Sequence, residues 1–300
     1  MRKTLTALAL LVASPAAAQP VLLATIGMIG DPAQRMAGDC VQVEVLIGPG
    51  LDPHLYQARP SDVALLRSAD RIVSLGLGLE GRLGAILERV GAAVLGPSVE
   101  PERLLLHGDA PDPHIWMDPG LWATTFPALA EVLAELAPAC AEQIAAGRDS
   151  EIARAEALDL WARDTLATIP EAQRVLLTAH DAFHYFSRAY GLENAAIQGI
   201  STESEASIAD IDATAQLAAD RQVPAAFIET TLNPRAVRAL VEAAASKGHT
   251  LSIGGSLYSD ALGEAGSGAD TWPGMIVANV TTITEALGGT VLPLPASVLP

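Results

Sequence analysis

Three histidines and one aspartate stand where an α/β protein can bring polar side chains together. His54 lies in the loop GLDPHLY, His114 in DPHIWMDP, His180 directly after the strand-like run VLLTA, and Asp260 in SLYSDALG, after the strand-like run TLSIGG. Ligands of open α/β sheets bind beyond the carboxyl ends of the strands, so these positions can face a common ligand. Three imidazole nitrogens and one carboxylate oxygen form a complete tetrahedral set for Zn²⁺. The residue types therefore predict a site for a divalent cation.

The other three histidines fit this site less well. His184 follows His180 by four residues, and an i, i+4 pair on one helix face can chelate a metal by itself. The segment TAHDAFHYF lacks the glutamate of a hydrolytic HExxH motif, and we favour His180 over His184 as the ligand. No partner pattern accompanies His107 or His249. We predict solvent-exposed positions for both.

Several residues near the four candidates can support them. Glu229 ends the strand-like run AAFIE and can accept a hydrogen bond from a ligand histidine, although simple anchoring of its loop is the alternative. Glu203 and Glu205 precede a helix that Ser207 can cap, where acidic side chains are usually local stabilisers. Four aromatic residues follow the candidate ligands and can line the site or belong to the ordinary core: Trp116, Phe183, Tyr185 and Phe186.

Two series of α/β elements must position these residues. From Val21 to about residue 96, and again from Arg174, short apolar runs alternate with stretches of helical periodicity, which is typical of βαβ units and a largely parallel sheet. The predicted strands are VLLATIG, VQVEVLIG, RIVSLG, AAVLG, RVLLTA, AAIQGI, AAFIET and TLSIGG. The predicted helices cover about residues 30–38, PSDVALLRSA, EGRLGAILERV, a segment ending at Tyr190, and segments that begin at Ser207, at Asn233 and after Pro273.

The segment between the two series differs from both. Residues 139–168 are rich in Ala, Glu, Arg and Leu and contain one Gly and no Pro. This composition predicts a single helix of about 45 Å that connects the two halves rigidly, unlike a flexible Gly/Ser linker. The predicted organisation is a signal peptide at 1–18, an N-terminal lobe at 19–137, a connector helix at 138–168 and a C-terminal lobe at 169–300.

The first residues, MRKTLTALALLVASPAAAQP, predict export. Two basic residues, an apolar run of about ten and small residues ending at Ala18 are typical of a cleavable secretory signal peptide. The run is too short for a membrane anchor, and no later stretch has the length of a transmembrane helix. No cysteine stands at the cleavage site to carry a lipid. We expect a protein of the bacterial periplasm that is not lipid-anchored.

Charge and cysteine content exclude two classes of function. The formal net charge is −17, which argues against nucleic acid as a partner because such affinity comes from neutralising phosphates. A negative surface attracts cations mildly, but solubility is the commoner reason for it. The two cysteines, Cys40 and Cys140, are too few and too far apart for a thiolate zinc motif. A disulfide and two buried free thiols both remain open.

Five motifs in order resemble one known family. GPGLDPHLYQARPSD, DPHIWMDP, TAHDAFHYFSRAYGL, FIETTLNP and LYSDALG together resemble the periplasmic metal-binding proteins of zinc and manganese ABC importers, the cluster A-I or cluster 9 family. The resemblance covers essentially the whole mature chain. It implies two α/β lobes joined by a long rigid helix, a metal buried in the cleft between them, and ligands at His54, His114, His180 and Asp260.

The same resemblance bears on the metal. Members regarded as manganese-specific usually have Glu at the third ligand position, whereas His180 matches zinc-binding and dual zinc/manganese members. Many dedicated zinc members also have a long His-rich acidic loop before the second ligand, and the corresponding stretch here holds only His107. Imidazole ligands and the Irving–Williams order both favour zinc. We expect Zn²⁺ as the transported ion, with Mn²⁺ or iron as the alternative.

Three functions are consistent with these residues and motifs. Capture of a divalent metal and its delivery to the membrane permease of an ABC importer, by a monomer that catalyses nothing, is the leading prediction. An exported zinc hydrolase is the second; a catalytic zinc normally keeps one position open for water, and the four candidate ligands leave none. A surface adhesin or structural protein is the third and rests on no specific residues.

Overall fold

The computed structural model describes residues 18–299. The predicted signal peptide therefore lies outside the described residues, except for Ala18. Within the described range, no helix combines the length and the apolar composition that crossing a membrane requires.

The N-terminal half is built on a four-stranded parallel sheet. Its elements are β1 (Val21–Ile26), α1 (Gly27–Ala37), β2 (Gln42–Ile47), α2 (Pro60–Ser68), β3 (Arg71–Ser74), α3 (Gly84–Arg89) and β4 (Ala93–Val94), with strand order β2-β1-β3-β4. The central strand β1 pairs on both sides, and its residues Leu22, Leu23 and Ala24 are buried, as expected for a strand covered on both faces. Next come a hairpin of two-residue strands, β5 (Leu106–His107) and β6 (Ala110–Pro111), and two helices, α4 (Pro119–Trp122) and α5 (Phe126–Leu136).

One long helix joins this half to the next. Helix α6 spans Ala141–Leu166, which is 26 residues and about 39 Å, and it confirms the predicted helix within a few residues at each end. It packs against α1 and α5. Gly147 lies at the contact with α1, where a Cβ atom would stand 2.6 Å from the carbonyl oxygen of Met36. The one glycine of the connector is therefore required by close packing.

The C-terminal half contains two pairs of parallel strands. Its elements are β7 (Val175–Thr178), α7 (His184–Tyr190), β8 (Glu193–Ala196), α8 (Ile208–Asp220), β9 (Ala225–Glu229), α9 (Arg235–Ser246), β10 (Ser252–Leu257) and α10 (Trp272–Ala286). Strand β7 pairs with β8, β9 pairs with β10, and β7 lies beside β9. The predicted fold class, α/β with mainly parallel sheets flanked by helices, is confirmed.

Some predicted boundaries are wrong by a few residues. Helix α1 begins at Gly27, directly after β1, instead of near residue 30. Helix α10 begins at Trp272 and contains Pro273 in its first turn, where a missing N–H costs nothing. Helix α3 is shorter than predicted. The buried carboxylate of Glu80 accepts the N–H groups of Leu75 and Gly76 and holds that stretch in a turn.

The core and one covalent bond tie the halves together. The larger apolar cluster runs from β1 past α6 to α10 and includes the fully buried Trp116, Trp122 and Trp272. A smaller cluster fills the space between the C-terminal strands, α8 and α9. A disulfide joins Cys40, after α1, to Cys140, directly before α6. Of the two alternatives left open by the sequence, a disulfide and two buried free thiols, the structure contains the disulfide. This bond fixes the connector to the N-terminal half.

Candidate metal centre

The four predicted residues meet in one buried cluster. Each of His54, His114, His180 and Asp260 offers one ligand atom, and these atoms lie within 4.8 Å of one another. The Nε2 atoms of His54 and His114 are 3.4 Å apart. The oxygens of Asp260 lie 3.3 Å from Nε2 of His114 and 3.2 Å from Nε2 of His180. Three nitrogens and a carboxylate thus point at a common centre, a donor set of the kind that binds Zn²⁺.

The topology explains why residues so distant in sequence converge. His180 lies two residues after β7, Asp260 three residues after β10, and His54 seven residues after β2. These are carboxyl ends of parallel strands, where side chains of different βα units come together. His114 comes from the loop between β6 and a single 3₁₀ turn at Ile115–Met117. Each half of the molecule supplies two of the four side chains.

Two of the histidines are oriented by carboxylates behind them. Asp112 lies 2.7 Å from Nδ1 of His114, and Glu229 lies 2.5 Å from Nδ1 of His180. Glu229 also accepts the backbone N–H of His180. With Nδ1 donating outward, Nε2 is left as the free nitrogen that faces the centre, which is the usual arrangement of metal-ligating histidines. The prediction that Glu229 bonds a candidate ligand histidine is confirmed.

These carboxylates also set the charge of the cluster. Burial opposes a positive charge on His114, but the charge and hydrogen bond of Asp112, together with Asp260, outweigh burial and raise the pKa of His114 to about 9. The pKa of His180 is raised well above its usual value for the same reason, with Glu229 and Asp260 outweighing burial. In turn, His180 and His114 overcome the effect of burial on Asp260 and hold its pKa well below the usual range. Protons therefore occupy this cluster at neutral pH when no cation does.

His54 is held differently. Among the described residues no carboxylate forms an ion pair with its ring, and burial lowers the pKa of His54 to about 4. Its backbone N–H donates to Asp52, 2.9 Å away, and the other oxygen of Asp52 accepts the hydroxyl of Thr202 at 2.6 Å. His54 is neutral near pH 7, so a cation can use its nitrogen without displacing a proton.

Unpartnered polar atoms point to an additional ligand at the centre. Nε2 of His180 and both carboxylate oxygens of Asp260 are buried and have no well-aligned hydrogen bond among the described residues. Buried polar atoms are nearly always satisfied, because leaving one unpaired costs about 1–3 kcal/mol. A cation at the centre of the cluster would accept lone pairs from all three atoms.

The remaining histidines lie outside the cluster. The ring of His184 faces Asp181 and Asp112, at 3.3 and 3.6 Å, and is partly exposed. His107 is exposed in the hairpin, as predicted. The prediction for His249 is wrong: it is 9% exposed, because its Nε2 bonds the carbonyl oxygen of Val223 beside the smaller core cluster.

The other supporting residues are confirmed in part. Ser207 caps α8 by accepting the N–H of Asp210. Trp116 packs its ring 5.3 Å from that of His114, centroid to centroid, and is fully buried. Tyr185 is also fully buried, and its hydroxyl donates to the carbonyl of Asp112 at 2.9 Å. Trp116 therefore packs against the cluster, and all four aromatic residues, including Phe183 and Phe186, belong to the buried core.

Sequence reasoning missed Asp52, Asp112 and Thr202. A signal for the two aspartates was present, because His54 and His114 both stand in the tripeptide Asp-Pro-His. An aspartate readily accepts the N–H of the residue two positions on, and both aspartates do so here. Thr202 had no such signal, since its partner lies 150 residues away.

The fold is that of the two-lobe metal-binding proteins of metal transport. The sequence matches the ZnuA family, "Zinc-uptake complex component A periplasmic", over residues 22–286, and the chain belongs to this family. The family consists of transport components rather than enzymes, so the alternative of an exported hydrolase is set aside.

Individual relatives cover nearly the whole chain. The zinc-binding protein TroA of Treponema pallidum is 40% identical over 274 residues, which are 90% of this chain and 89% of that protein. Its solved structure matches with a TM-score of 0.87, covering 90% of this chain and 99% of that one. The manganese-binding lipoprotein MntA of Bacillus subtilis is 37% identical over 270 residues, 88% of each protein. The structure of Fe(III)-bound YtgA from Chlamydia trachomatis has a TM-score of 0.84 at 31% identity and covers 92% of this chain and 100% of that one.

Proposed function

We propose that this protein binds one divalent metal ion through His54, His114, His180 and Asp260 and delivers it to the membrane permease of an ABC importer. The convergence of the four buried ligand atoms within 4.8 Å carries the proposal. Membership of a family of metal-uptake components and the names of the relatives support it. The metal is cargo, and nothing is chemically transformed.

Zn²⁺ is the proposed ion. Three imidazoles favour zinc over manganese, and His114 and His180 each have the carboxylate partner that zinc-ligating histidines typically have. One observation favours Mn²⁺ as the second candidate: the two oxygens of Asp260 each face a different histidine of the cluster. A bidentate carboxylate would raise the coordination number above four, which suits a harder ion.

The proposal also covers the cellular compartment, the absence of a lipid anchor and the oligomeric state. The family is periplasmic by description. Although the Bacillus subtilis relative is named a lipoprotein, both cysteines of this chain are joined in the disulfide and leave no thiol for a lipid. We propose a monomer freed from its signal peptide after Ala18, with lobes at 19–137 and 169–300 and the connector at 138–168.

Elemental analysis of protein purified from its native periplasm tests the proposal. The expected result is one zinc per chain, and X-ray absorption should show three nitrogen ligands and one carboxylate. A stoichiometric manganese content would favour the second candidate. Sulfur ligation, a shell of six oxygens or the absence of bound metal would contradict the proposed site.

A further inference from the structure

Hydrogen bonds between the two halves are distributed unevenly around the cluster. Beside His114 they are dense: the indole N–H of Trp116 donates to Ser259, that of Trp272 donates to Trp116, and the Tyr185 hydroxyl bonds Leu105 as well as Asp112. All of these bonds are 2.9–3.0 Å long and involve buried aromatic side chains. This side of the cluster is fixed, because separating the halves here would break several hydrogen bonds and expose buried aromatic surface at once.

The loop that carries His54 has one such bond. In the described residues, the stretch 48–59 contains no helix or strand and, apart from the cluster itself, makes a single hydrogen bond to the C-terminal half, from the Thr202 hydroxyl to Asp52. An ion pair nearby, between Arg82 and Glu203, is exposed and 4.0 Å long, so it contributes little. The Asp52–Thr202 bond is therefore the main polar link on this side.

The same side opens to solvent. A cavity of about 530 Å³ is lined by Asp52, Leu55 and Thr202, among others, at the junction of the two halves. His54 is 3% exposed, whereas His114 and His180 are 0% exposed. The His54 loop and residues 197–207 both lack regular secondary structure, so on this side the cluster can be uncovered by movement of a loop without disrupting a helix or strand.

We infer that Thr202 is a positioning residue: through Asp52 it holds the His54 loop closed over the metal, and metal exchange requires this bond to break. The inference rests on the proposed function for its cargo. A hydroxyl donating to a carboxylate forms one of the stronger hydrogen bonds, yet it can break without unpacking the core. The other three ligand side chains stay on their framework while His54 leaves.

Release of Zn²⁺ from loaded protein to excess chelator in a stopped-flow instrument tests the inference. The rate is extrapolated to zero chelator, so that the chelator does not drive release. Thr202→Val keeps the shape of the side chain and removes its hydroxyl, and release should accelerate about tenfold, with one zinc still bound per chain. Thr202→Ser restores the hydroxyl and should restore the slow rate. Ser201→Ala, in the same loop, removes a hydroxyl whose one hydrogen bond among residues 18–299 is accepted from the backbone N–H of Glu203, and it should release zinc at the wild-type rate.

Hydrogen exchange on the metal-free protein separates this inference from the proposed function. Thr202→Val should accelerate exchange of the amides at 50–56 and leave those at 112–118 unchanged. If the wild type retains no zinc, the proposed function fails while the exchange data still decide the role of Thr202. Equal release rates for the wild type and Thr202→Val, or equal acceleration by Ser201→Ala, would overturn the inference, as would unchanged exchange at 50–56.

Discussion

The loops around His54 and His114 share the tripeptide Asp-Pro-His and are held in very different ways. In both, the aspartate accepts the N–H of the histidine two residues on. Asp112 then also bonds the ring of its own histidine, whereas the second oxygen of Asp52 bonds Thr202 in the other half. The same local turn thus orients a side chain in one loop and joins two halves in the other. The residues that surround each loop in the fold, and not the Asp-Pro-His motif itself, decide which of these two roles the aspartate has.

The electrostatic difference between the two loops follows from these partners. The ring of His114 has a carboxylate at each nitrogen, and its pKa is about 9; the ring of His54 has no such partner in the described chain, and its pKa is about 4. One side of the cluster is rigid and charged without metal, and the other is neutral and weakly tied. Four changes to the chain or its conditions test this contrast.

The largest effect is expected at the rigid side. His180→Ala removes a proposed ligand, and zinc affinity should fall by more than about 100-fold, beyond the 10–100-fold typical of residues that only support a ligand. Competition titration with a zinc chelator measures it. His184→Ala is the matched control four residues away and should bind zinc like the wild type. A weakened His184→Ala beside an unaffected His180→Ala would mean that the wrong histidine was chosen.

A smaller loss is expected when the ring of His114 loses its charged partner. Asp112→Asn keeps an acceptor oxygen but removes the charge that makes the imidazole a better donor, so zinc affinity should fall about 10–100-fold. Asp118→Asn is the control, because Asp118 caps a helix in the same segment and is not one of the four clustered residues. If both variants bind zinc equally well, the carboxylate behind His114 has no role in binding.

The rigid framework itself can be probed at Gly147. In an exposed helix, Gly→Ala stabilises by about 1 kcal/mol. Here the new methyl group would meet the backbone of Met36 at 2.6–2.7 Å, and we expect Gly147→Ala to lower the free energy of unfolding by about 1–3 kcal/mol instead. Urea unfolding of the metal-free protein measures the sign. A stabilised variant would show that α6 can shift relative to α1, contrary to a rigid connector.

The smallest expected effect is the release of protons from the cluster when zinc binds. Because the pKa of His114 is raised to about 9 in the metal-free protein, zinc binding at pH 7 should release at least one proton, and affinity should rise with pH by about tenfold per unit for each proton released. His54, with a pKa of about 4, should contribute none above pH 6. Calorimetry in buffers of different ionisation enthalpy counts the protons. Zero release would contradict the contrast between the two loops.

The sequence alone predicts the fold class, the connector helix and the four clustered residues of this protein. The alternation of apolar runs and helical periodicity predicted the α/β class, and the Ala/Glu-rich segment predicted α6 nearly to its ends. Positions after predicted strands identified His54, His180 and Asp260, and the proline-bounded loop DPHIWMDP identified His114. The errors fall where packing overrides a local sequence pattern. Helix α1 begins directly after β1, and the hydrogen bonds of Glu80 hold the start of the predicted α3 in a turn. His249 is buried, and its ring bonds the carbonyl oxygen of Val223, which only the fold brings near.

The sequence by itself determined the residue types of the cluster and the periodicities that put three of the four at carboxyl ends of strands, because side-chain chemistry and hydrophobic period are local properties of the chain. Tertiary structure alone decided that Cys40 meets Cys140, that Glu229 stands behind His180, and that Thr202 reaches Asp52. These pairs are separated by 100, 49 and 150 residues. Which distant side chains meet depends on how helices and strands pack, and no window of sequence contains that information.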